Sequence, residues 1–385
     1  MVKVDRKKDE SSRNSSEEPQ MNNNVTKKTP IKIGFVNTLT GAASTSTIKI
    51  RDVVILAVEE KNKEGGINGH RIELIIKNDE FDPEVALKVD QELIDQGVIA
   101  IIGHSFSSLC LKVAPLIKKN NILMISPTAQ SPKLRGIDVN FISNNISIDK
   151  VARAYAITTV KKFNLKKICI VYDMINPGLA MPAVDYFKNE FEKHGGEISS
   201  TIQFNSKKNF SAPSIVKKII NSNAEGVYLI SDAIHTALIC QHLKINNSKL
   251  KIFAHGWALQ DSTFINEGGN AVEGVIGTEY IDKSQTNEKF LSFEQKYIER
   301  YGDRITGIAL SAYETITILF NALLKTNDPK KLETTILNQK SFKGIDGKII
   351  FDEYGDPIRT LNITEIKNGK AVTIGKIEPV ELLNN

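Results

Sequence analysis

Cysteine is scarce and scattered: Cys110, Cys169 and Cys240 are the only three in 385 residues, and none stands in a CxxC pair or a Cys/His cluster. Neither a disulfide framework nor a metal site is therefore expected. Long apolar runs are missing too, with nothing near the ~18 residues that a membrane-spanning helix requires. Charge of one sign does not dominate, since 50 Lys and Arg alternate with 45 Asp and Glu along the chain. That balance gives no reason to expect a nucleic-acid partner. The GxSxG and HExxH signatures are absent, as is a phosphate-cradling Gly-rich loop. His104 and Ser107 lie close in sequence, but no third orienting group accompanies them, so no catalysis and no cofactor are expected. Residues 1–30 have almost no large apolar side chain. Rich in Lys, Glu, Ser and Asn, they cannot bury enough surface to fold and read as a polar tether. They also lack the basic, apolar and small-residue order of a secretory signal.

What is present, from Ile31 onward, is a regular alternation of strand and helix. The apolar run Ile31 to Val36 predicts a strand. Val53, Val54, Leu56, Ala57 and Val58 recur at helical spacing until Gly65 and Gly66 stop the helix. Strands follow at 71–76, 98–102 and 122–125, with helices at 83–97 and 109–119 between them. Nearly continuous apolar strands of this kind predict a parallel sheet covered on both faces. A second cycle begins after residue 148, with strands at 167–172, 226–230 and 251–254. Helices lie between them at 180–194, 214–221 and 234–243. At 385 residues the chain exceeds one ordinary core, and two βα cycles predict two sheets facing across a cleft. Helices near 288–301 and 308–325 and a strand pair at 347–352 and 360–367 complete the lobes.

Four blocks carry a resemblance. Gly65-Gly66-Ile67-Asn68-Gly69 followed by Asn78-Asp79-Glu80-Phe81-Asp82-Pro83 comes first. Val98 to His104, Ser107-Ser108, and Ile125-Ser126-Pro127-Thr128-Ala129 with Ser131 to Leu134 follow in order. Together they resemble the leucine/isoleucine/valine-binding type of substrate-binding protein that serves ABC transporters. The resemblance implies a type I periplasmic-binding fold: α/β, with two doubly wound parallel-sheet lobes joined by a three-crossing hinge. It places 31–148 with about 282–338 in the first lobe and 149–281 with about 339–385 in the second. It further implies a monomeric, non-catalytic receptor, periplasmic or tethered at the cell surface. Such a receptor holds a small amino-acid-like or carboxylate solute and delivers it to a transporter permease; a ligand-sensing regulator of the same fold is the alternative.

In an open parallel sheet, ligands bind beyond the carboxyl ends of the strands. That rule selects Ser105 and Ser107 after the third strand, where a helix N-terminus can hold a carboxylate. Ser107 is equally suited to capping that helix. Ser126, Thr128 and Gln130 follow the fourth strand, in what is otherwise a Ser-Pro turn. Tyr172 and Asp173, then Asp232, then Trp257 follow successive strands of the second lobe. Trp257, the single tryptophan, suits stacking on an apolar or planar ligand, or packing at the lobe edge. Glu279 ends a further apolar run and fits a hinge position as well as a ligand contact.

Departures from the family bear on the ligand. Gln130 stands where branched-chain amino acid binders have Thr, Ser46 falls near an expected aromatic, and Gly256-Trp257 occupies the place of the carboxylate that receives an ammonium group. A buried ammonium would need that partner, and Asp232 is the candidate replacement. The family's first-lobe disulfide maps onto Phe81 and Phe106, which are therefore expected to touch.

Overall fold

The computed structural model describes residues 28–379 except 42, 137–139, 283–286 and 340; the expected tether lies outside the described residues save for its last three positions. The first lobe is built on five parallel strands in the order β2-β1-β3-β4-β5. They are β1 (Ile31–Asn37), β2 (Ile72–Asn78), β3 (Ala100–Ile102), β4 (Leu123–Ser126) and β5 (Phe141–Ser143). Strand periodicity divides its core. Ile33, Phe35, Ile102 and Ile125 face one side with α1 (Ser44–Lys63), α10 (Glu288–Tyr301) and α11 (Gly307–Leu323). Val36, Ile101 and Met124 face the other with α2 (Pro83–Asp95) and α3 (Ser107–Asn120).

The second lobe repeats the plan with β6 (Lys167–Asp173), β7 (Glu197–Phe204), β8 (Gly226–Ile230), β9 (Lys251–Ala254) and β10 (Ile276–Glu279) parallel. Two antiparallel strands, β14 (Leu361–Lys367) and β15 (Lys370–Ile377), extend it to the order β15-β14-β10-β9-β8-β6-β7. Ile168, Ile170 and Tyr228 pack against α4 (Ile148–Lys161) and α5 (Pro177–Lys193). Cys169, Val171 and Leu229 pack against α6 (Ala212–Asn221) and α7 (Ala233–Ile245). The chain passes between lobes after β5, after β10 and before β14, the three crossings of the expected hinge.

Two expectations need correction. The strands at 348–351 and 361–367 are not a pair: β12 (Lys348–Phe351) joins β11 (Phe342–Lys343) and β13 (Pro357–Ile358) in a separate small sheet. The stretch from 339 onward, expected with the second lobe, also divides. Alternation along β12 buries Ile349 and Phe351 on one face, and with Phe342 and Ile345 they join the first core. Ionic contacts stitch the crossings. Arg359 is forked onto Glu314 of α11 at 2.8 and 3.3 Å and reaches Asp346 at 3.3 Å. Arg135 bonds Asp149 at 3.0 Å and Asp356 at 3.3 Å.

The carboxyl ends of the first sheet are tied by one buried imidazole. His104, 0% exposed, meets Asp79 through Nδ1 at 2.6 Å and Asp90 of α2 through Nε2 at 3.2 Å. Asp79 also accepts the Thr38 hydroxyl at 2.5 Å, and the His104 carbonyl accepts the Ser126 hydroxyl at 2.6 Å. Burial by itself would lower the His104 pKa, but the Asp90 charge and the hydrogen bonds to Asp79 and Asp90 outweigh it and raise it to about 9. The three thiols are buried, and burial pushes their pKa values up, to about 11 for Cys169 and about 12 for Cys240.

A histidine pKa raised on folding stabilises most fully below its unfolded value near 6.5, and that stabilisation fades as pH rises toward 9. Urea unfolding should accordingly lose about 3 kcal/mol between pH 6 and pH 9, and His104→Gln should flatten that slope. A slope unchanged by the substitution would contradict the assignment. Gly103 has φ +138°, and a Cβ there would lie 2.0 Å from the Val36 carbonyl oxygen. Gly103→Ala should cost about 2–4 kcal/mol in the same assay; a loss below ~0.5 kcal/mol would show that the turn relaxes freely.

Candidate ligand-binding site

Beyond the strand ends, between the lobes, lies an inner chamber. The first lobe contributes Ser46, Thr47, Ser105, Phe106, Ser107, Thr128, Gln130 and Asn145; the second contributes Asn176, Leu179, Gly256, Trp257, Gln260 and Tyr280, and Ile308 of α11 closes it. None of these side chains is charged. The chamber is therefore polar through hydroxyls and amides and apolar through Phe106, Leu179, Trp257 and Ile308.

The hydroxyls are oriented from below. Ser105 Oγ accepts Asn37 Nδ2–H at 2.7 Å, and Ser107 Oγ accepts the Gln130 backbone N–H at 3.1 Å. Each has an acceptor position filled, which leaves its proton to donate. Ser107 does not cap α3, because Phe106 holds the N-cap position and no side chain bonds there. Thr128 donates to the Ser105 carbonyl at 2.9 Å, bracing the same turn. Phe106 and Ser107 N–H donate no hydrogen bond among those of the described residues, so the positive end of α3 opens into the chamber with donors in hand.

The other expected residues separate. Ser126 is fully buried beneath the turn: its Oγ donates to His104 and accepts the Ala129 N–H at 3.0 Å, and it does not line the chamber. Gln130 lines it but is also a clamp, its Nε2 donating to the Ile146 carbonyl at 2.8 Å and to Tyr280 Oη at 2.6 Å, one partner beside each of two crossings. Tyr172 donates to Gln203 Oε1 at 3.3 Å and lines neither the inner nor the outer chamber. Glu279 lines a neighbouring recess with Tyr280 and Gln260. The His104 ring forms no hydrogen bond with Ser107, both its nitrogens being taken by carboxylates. Thr47, Asn145, Leu179, Gln260 and Ile308 were not foreseen; Leu179 and Ile308 come from helices whose pattern signals core and not cleft.

Asp232 belongs to a second, outer chamber, lined also by Glu80, Phe81, Lys207, His235 and Asp261. Phe106 and Trp257, edge to face with centroids 6.1 Å apart, form the partition, and Phe81 packs on Phe106 at 4.3 Å as expected from the paired substitution. Burial raises the pKa of Asp173, with the Asp232 charge adding to it against the hydrogen bonds from Ser206 and Ile175. For His235, burial pulls the pKa down, yet Asp232 and Asp173 together raise it.

The lobes touch at the chamber rim. Asn176 Oδ1 accepts both the Ser108 N–H at 3.1 Å and the Ser108 hydroxyl at 2.9 Å, and Gly178 N–H donates to Ser108 Oγ at 2.9 Å. A Cβ on Gly178 would come 2.9 Å from Ser108 N. Gly178→Leu should therefore hold the lobes apart, raising the radius of gyration in small-angle scattering while each lobe keeps its helix content. An unchanged scattering curve would show that the contact does not govern closure.

Known proteins share this two-lobed architecture. The chain is 24% identical over 335 residues to the leucine-, isoleucine-, valine-, threonine- and alanine-binding protein of Pseudomonas aeruginosa, covering 85% of this chain and 87% of that one. A leucine-binding protein of Thermotoga maritima superposes with a TM-score of 0.83 at 23% identity, covering 91% and 99% of the two chains. A solute-binding protein of an R. palustris ABC transporter, in complex with benzoate, superposes with a TM-score of 0.81 at 18% identity over 90% and 96%. Matched from residue 30 to residue 371 by the periplasmic binding protein model, the chain belongs to that family of solute-binding receptors.

Proposed function

We propose that this receptor works outside the cytoplasm, closing its lobes over a small carboxylate with an apolar or aromatic body and delivering it to an ABC transporter permease. The observation that carries this reading is the inner chamber, which sets two hydroxyl donors and a helix N-terminus against Trp257, Leu179 and Ile308 with no charged side chain on its wall. A carboxylate finds N–H and O–H donors there and the favourable end of the α3 dipole. An α-ammonium group would find no anion, and leaving a charge unpaired in such a space is costly. The named ligand of the R. palustris relative, benzoate, has this carboxylate-on-apolar form. No helix among the described residues is long and apolar enough to cross a membrane, in keeping with a receptor that docks on a separate permease.

Trp257 is the single tryptophan and stands in the chamber wall, so its fluorescence reports occupancy directly. Titration with benzoate, aliphatic monocarboxylates and leucine should give saturable changes with the simple carboxylates and weaker ones with the zwitterion. Occupancy should also raise the melting temperature. Ser107→Ala should weaken binding by about tenfold, the worth of one hydrogen bond to a charged group, alongside a moderate fall in the unliganded melting temperature from the Gln130 N–H that loses its acceptor. Tight binding of leucine with no response to carboxylates would overturn this reading; loss of stability with affinity retained would make Ser107 a purely structural residue.

A further inference from the structure

Asp173, Asp232 and His235 bring one ligand atom each to within 4.8 Å of one another. Asp173 ends β6, Asp232 caps α7 by accepting the His235 backbone N–H at 2.9 Å, and His235 lies in the first turn of that helix. Rigid elements thus position all three. The carboxylate of Asp173 is 0% exposed and half used: Oδ1 accepts the N–H groups of Ile175 and Ser206, each at 3.0 Å, whereas Oδ2 has no hydrogen-bond partner. A buried carboxylate oxygen without a donor is costly, more so beside a second carboxylate.

The lysine nearest in the chamber lining does not relieve it, since Lys207 holds its ammonium over the Phe81 ring at 4.7 Å from the centroid. The His235 ring is fixed edge-on against Phe210 at 4.5 Å, with Nδ1 2.7 Å from Asp232 Oδ2.

We infer that Asp173, Asp232 and His235 form a divalent transition-metal site, suited to Zn²⁺, on the second-lobe side of the outer chamber. Two carboxylates and one imidazole are a donor set that zinc accepts with a fourth position left for water or a ligand oxygen. Tetrahedral ligands at roughly 2.0–2.2 Å from zinc lie about 3.3–3.6 Å apart. Small side-chain rotations therefore suffice: the Asp232–His235 contact opens and Asp173 Oδ2 draws in. Asp232 and His235 line the chamber, which puts the open position on its accessible side. The site is separate from the inner chamber across the Phe106–Trp257 partition, so it stands or falls independently of the carboxylate proposal.

The test is calorimetric titration of the full chain with Zn²⁺ at pH 8 without any organic ligand, repeated with Co²⁺ to record visible absorption from nitrogen and oxygen ligands. One ion per chain is expected. Asp173→Asn, which keeps the Oδ1 acceptor and the side-chain shape, should weaken Zn²⁺ by more than about tenfold, as should His235→Gln on the partly exposed face. Melting curves of the metal-free variants establish that both are folded. Absence of binding, or binding that neither substitution weakens, overturns the site; the unpartnered oxygen of Asp173 would then belong to a protonated carboxyl.

Discussion

A histidine buried between two aspartates organises the first lobe where it meets the ligand cleft. Its ring joins the end of β2 to α2, its carbonyl receives the hydroxyl at the end of β4, and its place in the chain is the turn from β3 into α3. An imidazolium in that position must keep both carboxylates, because a charge left unpaired in a dry interior is far more costly than the pair. The ends of β1, β2, β3 and β4 are thereby tied to one another. The Ser105 and Ser107 hydroxyls and the N-terminus of α3 stand directly on that tied set.

The two chambers divide charge in a way the fold alone does not require. The inner one holds hydroxyls, amides and apolar walls; the outer one gathers Glu80, Asp232 and Asp261 around Lys207 and His235. Two aromatic rings separate them, and one of those rings, Phe106, is seated by Phe81. Packing of that pair thus does more than fill space in the first lobe. It sets the wall against which a ligand would rest. A thin polar seam runs from Ser108 to Asn176 and Gly178, while the Gln130–Tyr280 bond and the Arg359–Glu314 pair hold the crossings behind it. The bonds at the crossings are buried and those at the rim only part-buried.

Much of this was legible in the chain. Continuous apolar strands separated by helices at 3.6-residue spacing announce parallel sheets, since only burial on both faces tolerates such runs. Turns after β3 and β4 were found because ligand sites in open sheets follow strand ends. The misses have physical causes. β7 and β15 are edge strands with mixed polar composition, and β5 is three residues long, so none offers an apolar run to detect. The small sheet containing β12 was misplaced because two alternating strands look alike whichever partner they take.

The sequence by itself determined the α/β architecture, the two lobes and the turns that carry Ser105, Ser107 and Thr128, because these rest on local periodicity and on where glycine, proline and polar residues interrupt it. Only the tertiary structure decided which polar groups share a space. It withdrew Ser126 into a backbone role, gave Gln130 to the hinge, moved Asp232 out of the inner chamber and placed it beside Asp173 and His235. Residues 59 positions apart along the chain, as Asp173 and Asp232 are, become neighbours when β6 and β8 pair, and electrostatics depends on distance in space, not in sequence.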